Sequence, residues 1–165
     1  MKILVTGGCG YVGSELIPSL LKKGHKITVY DTQWFGSNLE EHNNLKVVKI
    51  DTRQLKEEHL VGFEKIIHLA NIANDPAVDL NPELSWEVNV LATQQLIDKA
   101  SRLGTAKQFI FASSGSVYGI KEEPNVTEEL PLVPISAYNK TKMVAERVLL
   151  SYADQMQIHC IRPAT

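Results

Sequence analysis

The sequence has few cysteines: Cys9 and Cys160 stand alone and far apart. Two are too few for a disulfide framework, and they lack the paired spacing of a zinc site, so reduced thiols and no bound metal are expected. Long apolar runs are also missing. The longest covers only a few residues, against about 20 for a membrane span, and Met1-Lys2-Ile3-Leu4-Val5-Thr6-Gly7 contains no secretory apolar core. The expectation is a cytoplasmic protein without a membrane partner. There is no surplus of cations either. Seventeen Lys and Arg against 19 Asp and Glu leave a net charge of -2, without the positive field that counterion release from a polyphosphate demands, which argues against nucleic-acid binding. Internal repeats and low-complexity tracts are absent. What is there, 44% hydrophobic and 22% charged residues over 165 positions, is ordinary globular composition, and enough chain for one domain around one core.

Short β-branched runs alternate with longer amphipathic stretches, the pattern of an α/β fold in which a doubly wound parallel sheet carries helices on both faces. Strands are predicted at Lys2–Thr6, Lys26–Tyr30, Lys46–Ile50, Lys65–Leu69, Gln108–Ala112 and Ile158–Ile161. Several are apolar nearly throughout, as strands covered on both faces must be. Helices are predicted over Val12–Lys23, stopped by Gly24, and over Pro82–Leu103, with Asn81 as N-cap, proline at the first helical position and Gly104 past the end. A third should start from a Ser136 cap and run to about Gln155. The segment from Gly119 to Pro134, with prolines 124, 131 and 134, reads as a long loop beside the strand ends. After the sixth strand the sequence stops at Arg162-Pro163-Ala164-Thr165 without a closing helix. The expectation is that residues 1–165 are one domain of a longer protein.

Between the first strand and the first helix lies Thr6-Gly7-Gly8-Cys9-Gly10-Tyr11-Val12-Gly13, with glycines at 7, 10 and 13. The first permits a tight turn, the second lets backbone N–H groups approach a pyrophosphate, and the third lets the helix pack closely on the strand. The pyrophosphate then meets the positive end of the helix. Asp31 follows at the end of the second strand, 18 residues beyond Gly13, where a carboxylate can accept hydrogen bonds from an adenosine ribose. Its neighbours Tyr30 and Thr32 are not basic, so a 2′-phosphate would meet an anion with no guanidinium to hold it. The turn is therefore expected to bind NAD in preference to NADP.

Tyr138-Asn139-Lys140-Thr141-Lys142 places a phenol and an ammonium four residues apart on the third predicted helix, hence on one face. An opposite charge within about 4–6 Å lowers an acidic pKa by about 1–3 units, so Lys142 is expected to draw the Tyr138 phenol toward neutrality. Both residues follow the fifth strand, which ends in Ala112-Ser113-Ser114-Gly115-Ser116-Val117-Tyr118-Gly119, and ligands of open parallel sheets bind at the carboxyl ends of strands.

With these motifs the sequence resembles the extended short-chain dehydrogenase/reductase family, in its nucleotide-sugar epimerase, dehydratase and reductase branch. The resemblance spans essentially the whole chain. It rests on Thr6-Gly7-x-x-Gly10-x-x-Gly13, Asp31, Asp51, His68-Leu69-Ala70, Asn89-Val90, Ser113-Ser114-x-x-Val117-Tyr118-Gly119 and Tyr138-x-x-x-Lys142, in the family's order. It implies a Rossmann-type fold, NAD as cofactor and hydride transfer at a carbon of a nucleotide sugar. It further implies Tyr138 as general acid/base, Ser114 as the hydroxyl orienting the substrate oxygen, and Lys142 as the group that binds the nicotinamide ribose and lowers the tyrosine pKa. Gly7, Gly10, Tyr11, Val12 and Gly13 would wrap the cofactor, Asp31 its ribose, and Asp51 its adenine amino group with Thr52 beside it. Leu69, Ala70 and Asn71 would line the groove. Asn89 matches the family's helical asparagine and joins the cofactor residues, a polar residue on a solvated helix turn being the other reading of that position. His68 is expected to pack rather than react, and Cys9 has no assigned redox role.

Departures from the family pattern narrow the chemistry. Sugar 4,6-dehydratases of the family carry an acidic pair directly after the catalytic hydroxyl, and the decarboxylases a glutamate at the second place. Here Gly115-Ser116 stands there, and neither residue works as an acid or base at neutral pH, which favours an epimerase or reductase. Asn71 replaces the second of two usual alanines, and Ala92 stands where glycine is frequent. Two other readings use the same fold: a non-catalytic NAD sensor, and a dehydrogenase of a steroid or small alcohol on the same three residues. The family also implies a homodimer through the helices predicted at Pro82–Leu103 and Ser136–Gln155. It further implies a C-terminal substrate lobe, without which the 165 residues would hold NAD but not turn over sugar.

Overall fold

A computed structural model describes residues 1–164 of the chain. Its six strands are β1 (Lys2–Thr6), β2 (Lys26–Asp31), β3 (Leu45–Lys49), β4 (Lys65–His68), β5 (Gln108–Ala112) and β6 (Gln157–Ile161). They form one parallel sheet in the order β3-β2-β1-β4-β5-β6. The α/β doubly wound Rossmann-type architecture expected from the sequence is thus present, and all six predicted strands form, with ends displaced by at most one residue. Between β1 and β4 the winding reverses, which opens a crevice at the carboxyl ends of these strands.

Alternate residues of each strand feed two different cores. Ile3 and Val5 of β1 join Ile27, Val29 and Ile67 beneath Ile17 of helix α1 (Tyr11–Lys22). Leu4 points the other way, with Ile66, Phe109 and Phe111, against Leu96, Ile97, Ala145 and Leu149. The latter four lie on helices α4 (Ala92–Leu103) and α5 (Ala137–Leu150). Double coverage explains why the central strands read as unbroken apolar runs.

Helix punctuation acts largely as expected. Asn81 accepts from the Leu84 N–H at 3.0 Å, Pro82 opens the helix, and Gly104 ends it in a left-handed conformation at φ 64°. The helix predicted as continuous over Pro82–Leu103 is nevertheless divided into α3 (Pro82–Trp86), a wider π-type turn over Glu87–Leu91, and α4. Ser136 caps α5 through the Asn139 N–H at 3.2 Å, but the helix stops at Leu150 and residues 151–155 are turns. A six-residue helix, α2 (Asp75–Leu80), was not expected from the sequence; Asn74 caps it and Pro76 lies in its first turn. The segment from Gly119 to Pro134 contains no helix or strand. Of the terminal Arg162-Pro163-Ala164-Thr165, only Thr165 lies outside the described residues.

Candidate functional site

The turn after β1 brings the chain unusually close to the end of β4. A Cβ at Gly7 would lie 2.4 Å from the Ala70 nitrogen, and φ there is +72°, so only glycine fits. At Gly13 a Cβ would stand 2.1 Å from the Gly8 carbonyl oxygen; the absent side chain lets α1 seat on the turn. The N-cap of α1 is Gly10, with no side-chain cap and no acidic residue in the first turn. Ser14 supplies the first N–H returned to the Gly10 carbonyl, at 2.9 Å. The amides of Tyr11, Val12 and Gly13 therefore remain available to an anion.

Asp31 accepts the Cys9 N–H on one oxygen at 2.9 Å and the Gln33 N–H on the other at 2.6 Å. It thereby fixes the glycine turn, and each oxygen keeps a lone pair for a ribose hydroxyl. From this point a cleft of about 440 Å³ runs along the strand ends. Of the predicted cofactor residues, Gly7, Gly10, Tyr11, Val12, Asp31, Asp51, Thr52, Leu69, Ala70 and Asn71 line it. Gly13, Asn89, Tyr138 and Lys142 do not. Sequence reasoning missed Trp34 and Phe35, which lie at the mouth, 61% and 96% exposed. Their position three and four residues after Asp31 was the available signal. Burial raises the pKa of the Cys9 thiol, which also lines the cleft. Asp51 is already committed: Arg53 Nη2 reaches it at 2.7 Å and holds its carboxyl below the usual range, while Nη1 of the same guanidinium reaches Glu87 at 3.1 Å.

At the end of β5 the serine turn and α5 meet. Ser114 Oγ lies 2.7 Å from Ser116 Oγ, which donates to Asn139 Oδ1 at 2.6 Å, so the turn is tied to the residue following Tyr138. Lys142 is 3% exposed, and its Nζ donates to the Ala112 carbonyl at 2.6 Å. Nζ also stands 4.9 Å from the Phe111 ring centre and 5.7 Å from that of Tyr138. Burial brings the lysine pKa down to about 7, with Glu146 opposing. The Tyr138 phenol is shifted up, by burial first and by Asp75 second. In the protein alone the Tyr138 shift thus runs upward, opposite to the lowering by Lys142 expected from the sequence. A desolvated ammonium turned toward a carbonyl oxygen does not offset the burial of the phenol.

Asn89 is not on a solvated turn. It is fully buried in the π-type turn, accepts the Ile72 N–H at 2.8 Å, and donates to the Ile72 carbonyl at 3.1 Å and to Thr141 Oγ1 at 3.1 Å. It reaches the cleft only through the backbone it clamps. His68 is buried between Thr6 Oγ1 at 2.6 Å and Thr93 Oγ1 at 2.8 Å, stacked on Phe111. Burial, helped by Lys142, takes its pKa down to about 3. Among the described residues no group of three His, Cys, Asp or Glu side chains could hold a metal, and no helix is long and apolar enough to cross a membrane.

The sequence profile of the NAD dependent epimerase/dehydratase family matches residues 3–165. The chain is 33% identical over 155 residues to the UDP-glucose 4-epimerase of Corynebacterium glutamicum, covering 93% of this chain and 47% of that protein. It is 32% identical over 164 residues to UDP-glucuronic acid decarboxylase 1 of Xenopus tropicalis, covering 93% and 38%. Its fold superposes on UDP-N-acetylglucosamine 4-epimerase from Methanobrevibacter ruminantium M1 with a TM-score of 0.91 at 27% identity, over 98% of this chain and 54% of that one. The UDP-glucose 4-epimerase of Thermus thermophilus, solved with NAD, gives 0.89 at 28%, with the same coverage. The chain thus spans about half the length of these relatives, or less. NAD is the cofactor of the family, and the free α1 amides, the glycine turn and Asp31 fit it. The chain belongs to the NAD dependent epimerase/dehydratase family.

Proposed function

We propose that these residues form the cofactor-binding half of an NAD-dependent nucleotide-sugar epimerase or ketosugar reductase, and that Ser114, Tyr138 and Lys142 are its catalytic groups. One observation carries the reading: Tyr138 and the buried Lys142 share one face of α5 at the carboxyl end of β5, where the serine turn meets them. NAD, when bound, supplies a hydride acceptor and, in its oxidised form, a positive charge at the nicotinamide. Burial keeps the Tyr138 phenol protonated, ready to give a proton to a carbonyl oxygen as it is reduced. As a base it requires a cation close by, and Lys142 with the oxidised ring would provide one. Ser114 Oγ orients the sugar oxygen, and the α1 amides with Asp31 hold the dinucleotide.

Epimerisation or reduction is favoured over elimination because Gly115 and Ser116 offer no second acid or base. A side chain at 115 would also begin only 3.0 Å from the Pro163 carbonyl oxygen. The substrate of this reading is a nucleotide sugar. A homodimer through α3, α4 and α5 belongs to the same proposal: Trp86, Leu91 and Leu150 are exposed there, and sedimentation velocity tests it. In the complete protein, Tyr138→Phe should lower turnover at least ~100-fold while sparing NAD affinity. Retained turnover refutes the assignment, and tighter binding of NADP than of NAD refutes the cofactor preference.

A further inference from the structure

Asn71 lies just past the carboxyl end of β4 and on the wall of the cleft. Its amide is satisfied in one orientation. The nitrogen then donates to the Ile72 carbonyl at 2.9 Å and to Asn89 Oδ1 at 3.1 Å, with Asn89 Nδ2 also 2.9 Å away and taking no part, and the oxygen accepts from Lys142 Nζ at 3.0 Å. The same Nζ donates to the Ala112 carbonyl at 2.6 Å. We propose that Asn71 is a positioning residue for Lys142: its side-chain oxygen holds the ammonium from the β4 side while the Ala112 carbonyl holds it from β5. An alanine at this place has no atom that could do so. The inference rests on the reading of Lys142 as a group of the active site.

The surroundings give the contact its weight. Lys142 is 3% exposed, and among the described residues no carboxylate forms an ion pair with it. Glu146, one turn further along α5, is engaged by Arg162 at 2.6 Å. His68 faces the lysine from β4 and is neutral, Tyr138 lies one turn earlier on α5, and Asp75 acts on Tyr138 from α2. The charge is therefore held by neutral oxygens. An ammonium has three N–H donors; with two occupied, its direction is set and one remains for a ligand.

The test is a titration of the Lys142 side chain by NMR in the complete protein, using lysine labelled at the ε-carbon and assigned by loss of the signal in Lys142→Arg. Removing the neutral acceptor in Asn71→Ala should lower the titration midpoint by about one pH unit or more. Asn71→Asp, which keeps the shape and supplies a charge, should raise it by about 1–3. Midpoints coincident with wild type in both variants overturn the proposal, as does a downward shift in Asn71→Asp. Should Asn71→Ala fail to fold, the isosteric aspartate decides alone. The midpoint is read without coenzyme or sugar, so a protein that proved inactive on nucleotide sugars would sink the proposed activity and leave the Asn71–Lys142 contact standing. In an active enzyme, the pH profile of kcat should move with the midpoint, which a purely structural defect would not cause.

Discussion

Replacing His68 by glutamine should make the protein less sensitive to acid. The imidazole is buried, and its hydrogen bonds determine its tautomer. Thr93 Oγ1 donates to the Asn89 carbonyl at 2.9 Å, so at 2.8 Å His68 Nε2 must donate to Thr93 Oγ1, and Nδ1 must accept from Thr6 Oγ1 at 2.6 Å. Burial favours this neutral form and brings the pKa from 6.5 to about 3. The unfolded chain therefore binds a proton that the folded chain refuses, between these two values. Stability contributed by the neutral ring is present above pH 6.5 and is lost progressively as pH falls. At pH 5 the linkage amounts to about 2 kcal/mol, against only about 0.2 kcal/mol at pH 7. Glutamine keeps a donor and an acceptor but cannot titrate. At pH 7 His68→Gln should be less stable than wild type by about 1–3 kcal/mol, from poorer bridging and lost packing on Phe111. At pH 5 the gap should shrink by about 2 kcal/mol. Urea titrations followed by circular dichroism at the two pH values measure this, and a gap that stays constant refutes the buried neutral imidazole.

Arg162 clasps the fully buried Glu146 at 2.6 and 3.0 Å and donates to Tyr118 Oη at 2.7 Å. Arg162→Met alone should therefore destabilise by about 3–5 kcal/mol, whereas pairing it with Glu146→Leu should recover most of that loss, as chemical denaturation will report. Gly13→Ala forces a Cβ to within 2.1 Å of the Gly8 oxygen and should abolish NAD binding by calorimetry, because the turn and α1 must separate. Ser113 Oγ is buried without a hydrogen-bond partner among the described residues; Ser113→Ala should leave thermal stability unchanged or raise it slightly, since no bond among them is lost.

The fold was legible where its determinants are local. Strand periodicity reports which residues are covered, so all six strands could be placed, but it marks no exact end, and β3 and β6 each begin one residue earlier than expected. Caps at Asn81, Gly104 and Ser136 are local as well, and they act as read. The helix over Asp75–Leu80 is too short to display a period, although Asn74 and Pro76 carried its start signal. The π-type turn was hidden for a different reason. Its residue Asn89 is bonded to Ile72, 17 positions away, and to Thr141, 52 positions away, and no window along the chain contains these partners. The same division holds in the site. Gly13 against Gly8, and Asp31 against the Cys9 amide, act within one βαβ unit and were visible, whereas the approach of Gly7 to Ala70 spans 63 positions. The environment of Lys142 is assembled from Asn71, Phe111, Ala112 and Tyr138, so the direction of the Tyr138 shift could not be read from a four-residue spacing.

These non-local contacts form one buried polar path. It runs from Thr6, directly before the glycine turn, through His68 and Thr93 to the Asn89 carbonyl. From the Asn89 side chain it continues to Thr141, whose hydroxyl donates to the Tyr138 carbonyl at 2.7 Å. Thr6, Thr93, Asn89 and Thr141 are fully buried, so each group left without its partner would bear a desolvation penalty of about 1–3 kcal/mol. Apolar packing alone would hold β1, β4, α4 and α5 together, but it would tolerate small slides between them. Directional bonds with nothing else available to them do not. The turn that receives the dinucleotide and the helix that presents Tyr138 are thereby kept in one fixed relation across the sheet. That fixed relation is what the proposed reaction, with hydride exchanged at a sugar carbon and a proton at its oxygen, would require of the fold.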